Sequence, residues 1–545
     1  MKGQRLILLL AFAALFFAML LPPEAYPNGR LAVVVCGTFA FLASLSERRI
    51  PTGYVKAGAW VFALLLVHTL TLSIDLYRSL DMLTMIWTYY CLIGVLMYVG
   101  SGYADHLAVV MVALTLIVSG YGLYQYFWGF DKIYQFIFYS ASSQIVKVPA
   151  LGVVANRRVF STVALPGTLW GFLVCALPFH AMLWRRRLSL DVVLIVSAAM
   201  LMLAGFFTRS FGFLLALFIL ISAALWMRYR RFVWNRITPV LVLLFVIAGT
   251  FYSARHGAIE GSNPAGLRFL NWVSAWNIFA VHPFGTGLNT FGVIYPEFMQ
   301  PNANETQFVH NTFLQLLSEL GYPLIIALVI VLIAKADRLK NLIAWQRPET
   351  LWLFLALLVW ITHNLIDIDV YFPSVGVIGA VLIGMLLARE RGEVPLPSKP
   401  LVGLLAVFAI SALVFSAAAC ISSELQTRAQ IEYDNKKLKT AVETLAEARR
   451  ICPINSSLYH DAGEILLELS QRTREPHYLE EATEVFHRAI ILSPKKAGSY
   501  IGYGLALSSA SRVKEAMEQI QIAQSLYPSS PYAQSIARLM SQRLQ

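Results

Sequence analysis

The sequence predicts an all-α protein, a bundle of membrane-spanning helices with a large external loop, followed by a C-terminal α-solenoid. Three observations predict this class. Of the 545 residues, 58% are hydrophobic and 14% are charged, and the mean hydropathy of +0.63 places most of the chain in lipid. Apolar runs long enough to cross a bilayer recur about thirteen times. After Cys420 the sequence becomes charged, Ala-rich and helix-periodic, which indicates a separate soluble domain.

The predicted membrane domain covers residues 1–425. Its spans begin near Leu6, Leu31, Tyr54, Met82, Leu107, Thr168, Leu190, Phe211, Ile237, Thr312, Leu351, Ser374 and Leu401. With a cytoplasmic N-terminus, basic clusters such as residues 185–187 fall in alternate loops, as the positive-inside rule requires. The net charge of +12 is therefore a topology signal, and no nucleic-acid partner is predicted. The same register places a polar loop at about residues 253–311, and the C-terminus, on the external side.

The predicted C-terminal domain, residues 426–545, repeats a pattern of small residues, a large apolar residue and proline. Ala441, Leu445, Ala448 and Pro453 recur as Ala482, Phe486, Ala489 and Pro494, and again as Ala516, Ile520, Ala523 and Pro528. The last two units are 34 residues apart, which is the period of tetratricopeptide repeats. Such a solenoid offers a concave surface to a protein partner, or it serves only as a spacer.

Arginines on the predicted external side run against the positive-inside tendency, so each needs a reason. They are Arg157, Arg158, Arg209, Arg255 and Arg268. A guanidinium group fits phosphate oxygens bidentately and stays charged, which suits a diphosphate at the membrane surface. Snorkelling to lipid headgroups is the alternative. It applies least to Arg209, since this residue lies in a very short turn between two predicted spans.

Two polar clusters add candidate acid–base groups. His310 precedes the span predicted at Thr312, where an imidazole can accept a proton from a hydroxyl or hold a phosphate. Asn311 and Thr312 would equally serve as an ordinary helix N-cap. The second cluster contains His363, Asn364, Asp367 and Asp369. Its carboxylates would bind an acceptor, orient a base or pair with the arginines.

The sequence predicts no metal or other cofactor. His282, His310 and His363 lack the close spacing of zinc ligands. The five cysteines are scattered and indicate neither a disulfide framework nor a metal cluster. No glycine-rich loop lies between a strand and a helix, so nucleotide binding is not indicated.

The segment GLRFLNWVSAWNIFAVHPFGTGLNTF, followed by VHNTFLQLLSELGYPLIIALVIVLI, resembles the signature region of the O-antigen ligase and polymerase superfamily. The matching positions are Arg268, Trp276, His282, Pro283, Gly285, Gly287, Phe291, His310, Asn311, Glu319 and Gly321. Upstream, Arg158, Thr162 and Pro166 fit a second family segment, with Gly167 where the family has Asn. In a third, Ser210 and Gly212 match, but the arginine stands at Arg209 and Phe211 takes the family's Arg position.

The resemblance implies a GT-C-like glycosyltransferase of the bacterial cytoplasmic membrane. Such an enzyme moves a glycan from undecaprenyl diphosphate to an acceptor hydroxyl on the external face, with inversion and without a metal. His310 would activate the acceptor, and Arg268 and Arg209 would stabilise the leaving diphosphate. The resemblance and the polar clusters together assign substrate binding to Arg158, Arg157, His282, Asn311, Glu319, His363 and Asp367.

The acceptor stays open at this stage. It is a growing polysaccharide, a lipid A-core or, for a protein O-oligosaccharyltransferase, a polypeptide. A different class of function also remains, namely a non-enzymatic envelope scaffold or exporter subunit whose repeats recruit other proteins. The two classes differ in whether Arg268 and His310 lie at one site.

Overall fold

The structure is a computed structural model. It describes residues 2–23, 25–47, 50–99, 103–140, 153–163, 165–185, 191–210, 264–342, 348–387 and 398–544. Within these ranges the regular structure is helical and no strand occurs. The all-α prediction is therefore confirmed.

Among the described residues before 388, ten helices follow predicted spans, and three helices, at residues 130–140, 264–281 and 291–298, lie between predicted spans. In chain order these helices are α1 (Lys2–Leu20), α2 (Pro27–Ser46), α3 (Thr52–Leu72), α4 (Leu76–Val99), α5 (Ala104–Tyr124), α6 (Phe130–Ser140), α7 (Pro166–Arg185), α8 (Asp191–Phe207), α9 (Pro264–Val281), α10 (Phe291–Phe298), α11 (Thr312–Leu342), α12 (Pro348–His363) and α13 (Pro373–Leu387). A π-helical turn at Gln125–Gly129 joins α5 to α6. A helix of 36 residues, α14 (Lys399–Asp434), leaves this domain.

Among the described residues, six helices are long and apolar enough to cross a membrane, and five shorter apolar helices accompany them. They fall at the predicted span positions from Leu6 to Leu190 and from Thr312 to Leu401. The spans predicted near Phe211 and Ile237 lie outside the described residues. A multi-pass membrane protein is supported, and the number of spans stays a prediction.

Two buried apolar clusters hold the bundle together. In the first, the Trp170 ring on α7 packs so closely on α8 that a Cβ on Gly205 would lie 2.0 Å from it. The second surrounds Trp87 on α4 and also contains Tyr371 and Phe372, which lie between α12 and α13. Burying these aromatic side chains removes large apolar areas from solvent. The second cluster thus fixes a polar loop on the end of the bundle.

Glycine at two positions lets separate turns interlock beside this loop. Gly285 and Gly321 have φ values of +86° and +63°, a region that glycine adopts without steric cost. A Cβ on Gly285 would lie 2.2 Å from the Glu319 carbonyl oxygen, and one on Gly321 would lie 2.2 Å from that of Pro283. The Tyr322 amide donates to the same Pro283 carbonyl at 2.9 Å. The glycines of the sequence motif are therefore explained by close backbone contact.

The C-terminal domain is a row of helices, each packed on its neighbours in sequence. After α14 come α15 (Leu438–Ile451), α16 (Ser456–Thr473), α17 (Pro476–Leu492), α18 (Ala497–Ser509), α19 (Val513–Leu526) and α20 (Pro531–Leu544). The repeated alanines Ala441, Ala482 and Ala516 are fully buried. The boundary predicted at residue 425 falls inside the continuous helix α14. Assignment of these helices to tetratricopeptide repeats stays a prediction.

Candidate functional site

The start of α11 is fastened to the loop after α12, and this junction forms the centre of the site. The Thr312 amide donates to the carbonyl oxygens of Asn364 and Asp367 at 2.9 and 3.1 Å. The Thr312 hydroxyl donates to the side chain of Asn364 at 2.6 Å. Asn311 donates its side-chain amide to the Leu365 carbonyl at 2.8 Å. These bonds bring the two polar clusters of the sequence together.

His310 lies at this junction with its ring beside a buried carboxylate. Its Nδ1 is 3.6 Å from Oδ1 of Asp367 and has no hydrogen-bond partner. The backbone of His310 has φ +56°, and its carbonyl accepts from Nε1 of Trp272 at 3.4 Å. Trp272 follows Arg268 by one helical turn on α9, so both side chains lie on the same face of that helix. The helix carrying Arg268 thus packs with that face toward His310.

The pKa of Asp367 shows how much positive charge surrounds this carboxylate. Burial alone would raise it, but the imidazoles of His310 and His363 and the guanidinium of Arg268 lower it. The net result is a pKa well below the usual range of an aspartate. Three of the predicted site residues therefore act on one carboxylate.

His363 forms a second imidazole–carboxylate pair in the same loop. Its Nδ1 lies 2.8 Å from Oδ2 of Asp369, and both side chains are buried. The opposite ring nitrogen, Nε2, is buried and has no hydrogen-bond partner. Burying such an atom unpaired is costly. The site therefore contains one buried imidazole nitrogen without a partner, on His363, and a second imidazole, that of His310, whose Nδ1 faces the carboxylate of Asp367.

The first turns of α7 cover these carboxylates because they present glycines. A Cβ on Gly167 would lie 2.5 Å from Oδ2 of Asp367, and one on Gly171 would lie 3.0 Å from Oδ1 of Asp369. Gly167 is the position at which the family has Asn. In this chain the carboxylate of Asp367 occupies the space that a side chain at position 167 would need.

Asn311 and Glu319, two predicted substrate contacts, are used by the protein itself. Asn311 Oδ1 accepts from the Leu314 amide at 3.0 Å, so it caps α11. Glu319 is fully buried. Its carboxylate accepts from the amides of Asn289 and Phe291 at 2.7 and 3.2 Å, and from the hydroxyl of Tyr371. Gln315 also donates to it, at 3.2 Å.

The upstream arginines form a second group near the end of α8. Arg158 donates from Nε to the Thr208 carbonyl at 3.3 Å, which places it beside the turn that holds Arg209. Within the described residues, Arg158 makes no hydrogen bond to the His310 cluster. Arg157 is more exposed and pairs with Asp131 at 3.0 Å. The chain from Arg158 leads directly into α7, whose first turn covers Asp367.

His282 lies away from the cluster. Its ring meets Phe298 edge-on with the centroids 6.2 Å apart. Burial and the positive charge of Lys495 lower the pKa of His282, and Glu297 raises it. Lys495 belongs to the C-terminal domain and pairs with Glu297, so His282 lies near a contact between that domain and the loop.

Sequence reasoning missed the role of Trp272. Its position one turn beyond Arg268 was the available signal, because residues four apart share a helix face. Within the described part of the chain, no group of three or more His, Cys, Asp or Glu side chains has the arrangement of a metal site.

A helical bundle with a buried histidine–carboxylate cluster beside arginines defines a membrane protein with a polar site at one end of its spans. A family model described as O-Antigen ligase matches residues 195–329, which confirms the family resemblance. The matched range contains Arg209, Arg268, His310 and Glu319. It supports a membrane glycan ligase or polymerase.

Comparison with curated proteins gives no match. Among solved structures, the chain is similar to one titled "First TPR of Spaghetti (RPAP3) bound to HSP90 peptide SRMEEVD". The identity is 18% and the TM-score 0.21, over 23% of this chain and 93% of that chain. A TM-score this low carries no argument.

Proposed function

We propose that this protein transfers a glycan from undecaprenyl diphosphate to an acceptor hydroxyl on the external face of the bacterial cytoplasmic membrane. The observation that carries the proposal is the cluster of His310, His363 and Arg268 around Asp367. It combines a base oriented by a carboxylate, a charged donor and an unpartnered imidazole nitrogen on His363, which are groups that acid–base and electrostatic catalysis need. The match to the O-antigen ligase model supports the same reaction class.

In the proposed reaction, His310 is the general base. Its Nδ1 faces Asp367, so Nε2 is the nitrogen available to the acceptor. As Nε2 takes the hydroxyl proton, the acceptor oxygen attacks the anomeric carbon from the side opposite the diphosphate. The bond from that carbon to the diphosphate oxygen breaks, and the diphosphate leaves with the electron pair. The configuration is inverted, and Asp367 stabilises the imidazolium that forms.

Arg268 is the proposed donor to the leaving diphosphate. A guanidinium group that is always charged stabilises the developing negative charge without a metal ion. We assign Arg209 and Arg158 to the same diphosphate, because Arg158 binds the Thr208 carbonyl next to Arg209 and the chain from Arg158 leads into the α7 turn that covers Asp367. Arg157, which already pairs with Asp131 at the surface, is assigned to the lipid headgroups.

We propose positioning roles for three other predicted contacts. Glu319 and Asn311 hold the loops, since their polar atoms already bind protein donors. His282 contacts neither substrate in this scheme, because it lies near the contact between the loop and the C-terminal domain. Asp369 orients His363, and we assign the unpartnered Nε2 of His363 to binding of the glycan.

An apolar groove is available for the polyprenyl tail. A cavity of about 740 Å³ lies between α3, α4 and α14 and is lined by side chains such as Phe62, Trp87 and Phe408. At the end of α3, His68 contacts the Phe284 carbonyl at 2.8 Å, which connects this groove to the glycine turn. Ala412→Trp is expected to raise KM for a long-tailed donor more than for a short-tailed one. Val192→Trp on exposed α8 is the control, and equal effects on both donors would contradict the assignment.

The test of the proposed function uses purified protein in lipid nanodiscs. His310→Asn removes the imidazole but suits the positive φ, since Asn tolerates that conformation. Arg268→Gln removes the guanidinium charge, and Arg157→Ala is the matched control. Release of undecaprenyl diphosphate and transfer of glycan are measured with EDTA present.

We expect the wild type and Arg157→Ala to turn over, and both site variants to lose at least about 100-fold in rate. Full activity in both site variants would remove the proposed site. Loss of wild-type activity in EDTA, restored by a divalent cation, would contradict a metal-independent reaction. Absence of transfer with every acceptor class would favour the scaffold function.

A further inference from the structure

The C-terminal domain contacts two loops of the membrane domain. The first is the loop that contains α10. Lys495, between α17 and α18, forms an ion pair with Glu297 on α10 at 2.9 Å. Tyr527, at the end of α19, donates its hydroxyl to Glu305. These two contacts join successive repeat units to one short stretch of the loop.

The second contact is with the turn between α3 and α4. Ser456 at the start of α16 lies 3.4 Å from Oδ2 of Asp75, and the Tyr77 ring packs against the core of the C-terminal domain. Lys496 is enclosed at the same place. Burial lowers its pKa, Arg78 lowers it further, and Asp461, Asp75 and Glu464 oppose this. Charges from both domains therefore meet around one lysine.

Both loops in turn hold the elements that carry the candidate site. On the α10 side, the Tyr295 hydroxyl donates to Asn271 on α9 at 2.8 Å. Ser274 on α9 donates to the Phe298 carbonyl at 2.9 Å. On the α3–α4 side, the Ile74 amide donates to the Thr286 carbonyl at 3.0 Å. The C-terminal domain thus contacts loops that themselves contact α9, the helix that carries Arg268.

The α10 loop has little stability of its own. The helix has eight residues with Pro296 inside it, far below the length at which an isolated helix is stable in water. Its conformation therefore depends on packing against α9 on one side and against the C-terminal domain on the other. A single ion pair that is partly exposed to solvent contributes little to stability, so we consider the contacts as a set.

We infer that the C-terminal domain acts as an internal brace, which we define as Lys495, Lys496, Ser456 and Tyr527. The brace fixes α10 against α9 and thereby positions Arg268 relative to His310. The partner of these repeat residues is the loop of the same chain rather than a second protein. Lys495 is on this view a positioning residue. The consequence for catalysis rests on the proposed function, but the brace itself does not.

The test is a charge exchange across the ion pair. Lys495→Glu, Glu297→Lys and the double variant are compared with the wild type as full-length protein in nanodiscs. Lys514→Glu is the matched control, because Lys514 is exposed and makes no hydrogen bond or ion pair among the described residues. Hydrogen exchange is followed for amides in residues 264–311, and KM and kcat are measured for the lipid-linked donor.

Each single variant is expected to exchange the α10 amides about three- to tenfold faster, because the attraction across the ion pair becomes a repulsion. KM for the donor rises by a similar factor while kcat changes less, and the double variant recovers both values. Lys514→Glu leaves them unchanged.

Two results would overturn the brace: unchanged exchange in Lys495→Glu, or a double variant no better than the singles. If exchange responds as expected but the wild type transfers no glycan, the brace stands and the proposed function falls. Unfolding of the C-terminal domain in Lys495→Glu is detected as fast exchange throughout residues 438–544. In that case Lys495→Met replaces it, with a smaller effect expected in the same direction.

Discussion

Two buried carboxylates at the same end of the bundle have opposite surroundings. Glu319 accepts hydrogen bonds from two backbone amides and two side chains. Asp367 accepts a bond from the Ile368 amide at 3.0 Å, lies 3.6 Å from Nδ1 of His310, and belongs to the same loop as His363, whose Nε2 has no hydrogen-bond partner. A carboxylate that accepts several hydrogen bonds from the protein holds those donors in place. Polar atoms without a hydrogen-bond partner beside a charged group are available to bind a ligand. The comparison separates scaffold from candidate site.

Replacing Glu319 is expected to give the largest loss of stability. Glu319→Ala leaves two buried amides, the Tyr371 hydroxyl and the Gln315 amide without their acceptor, at about 1–3 kcal/mol for each unpaired group. We expect the unfolding free energy in detergent to fall by roughly 3 kcal/mol or more. Glu319→Gln keeps one acceptor oxygen, so its unfolding free energy is expected to fall less. Transfer activity is lost only in proportion to the unfolded fraction.

His310→Asn is the opposite case and sharpens the comparison. Its unfolding free energy is expected to fall less than that of Glu319→Ala, because His310 loses one charge contact, with Asp367, whereas Glu319 accepts four hydrogen bonds. Activity is lost all the same. If His310→Asn unfolds as readily as Glu319→Ala, the distinction between the two regions is wrong.

The sequence was sufficient for the helical class and for the existence of the polar loop. Apolar runs of bilayer length and the motif around Arg268 and His310 were local signals, and the family model matches this region. The contact between the two polar clusters could not be predicted from the local sequence, because the bonds from Thr312 to residues 364 and 367 join segments about fifty residues apart. Periodicity contains no information about such a pairing.

Residue type alone also did not indicate the protein contacts of Glu319 and Asn311. Both stand in the motif beside His310, so substrate contact was the natural expectation. Their roles depend on which backbone amides face them, and for Glu319 those amides come from Asn289 and Phe291 in a different turn. The interlocked glycine turns set that geometry, and a spacing pattern does not show it.

Asp367→Asn tests the electrostatic half of the comparison. Burial raises the pKa of Asp367, but His310, His363 and Arg268 lower it in the folded protein by more. The ionised carboxylate therefore stabilises the fold above its unfolded pKa of about 4. Asp367→Asn is expected to lose roughly 1–3 kcal/mol at pH 7.

The pH dependence is the decisive readout. The difference in unfolding free energy between wild type and Asp367→Asn is expected to shrink as the pH falls below about 4, where the carboxyl group of the unfolded chain becomes protonated. Burial lowers the pKa of His363, but Asp367 is among the carboxylates that raise it, so part of the difference is lost as the pH rises through the pKa of His363. A difference that instead grows below about pH 4 would mean that the carboxylate is destabilised by its surroundings, contrary to the charges that face it.

Asn311→Ala gives an intermediate effect. Losing the N-cap of α11 costs typically about 1 kcal/mol, and the bond to the Leu365 carbonyl is lost as well. Asn311→Ser keeps a capping oxygen and separates the cap from that second bond. We expect Asn311→Ala to lower the unfolding temperature and Asn311→Ser to restore most of it. A large loss of activity in the stable Asn311→Ser variant would indicate that Asn311 contacts the substrate.

Arg157→Ala is expected to have the smallest effect, although the sequence ranked Arg157 with Arg158. Its partner Asp131 has a side chain that is 82% exposed, and solvent screens such a pair to a value between zero and about 1 kcal/mol. The free energy of unfolding should therefore fall by no more than about 1 kcal/mol. KM for the donor should stay within about twofold of the wild-type value. Arg158→Ala removes the neighbour that binds the Thr208 carbonyl beside Arg209, so its KM should rise more. Equal effects of the two variants would mean that both arginines contact the same substrate, and the surface assignment of Arg157 would then be wrong.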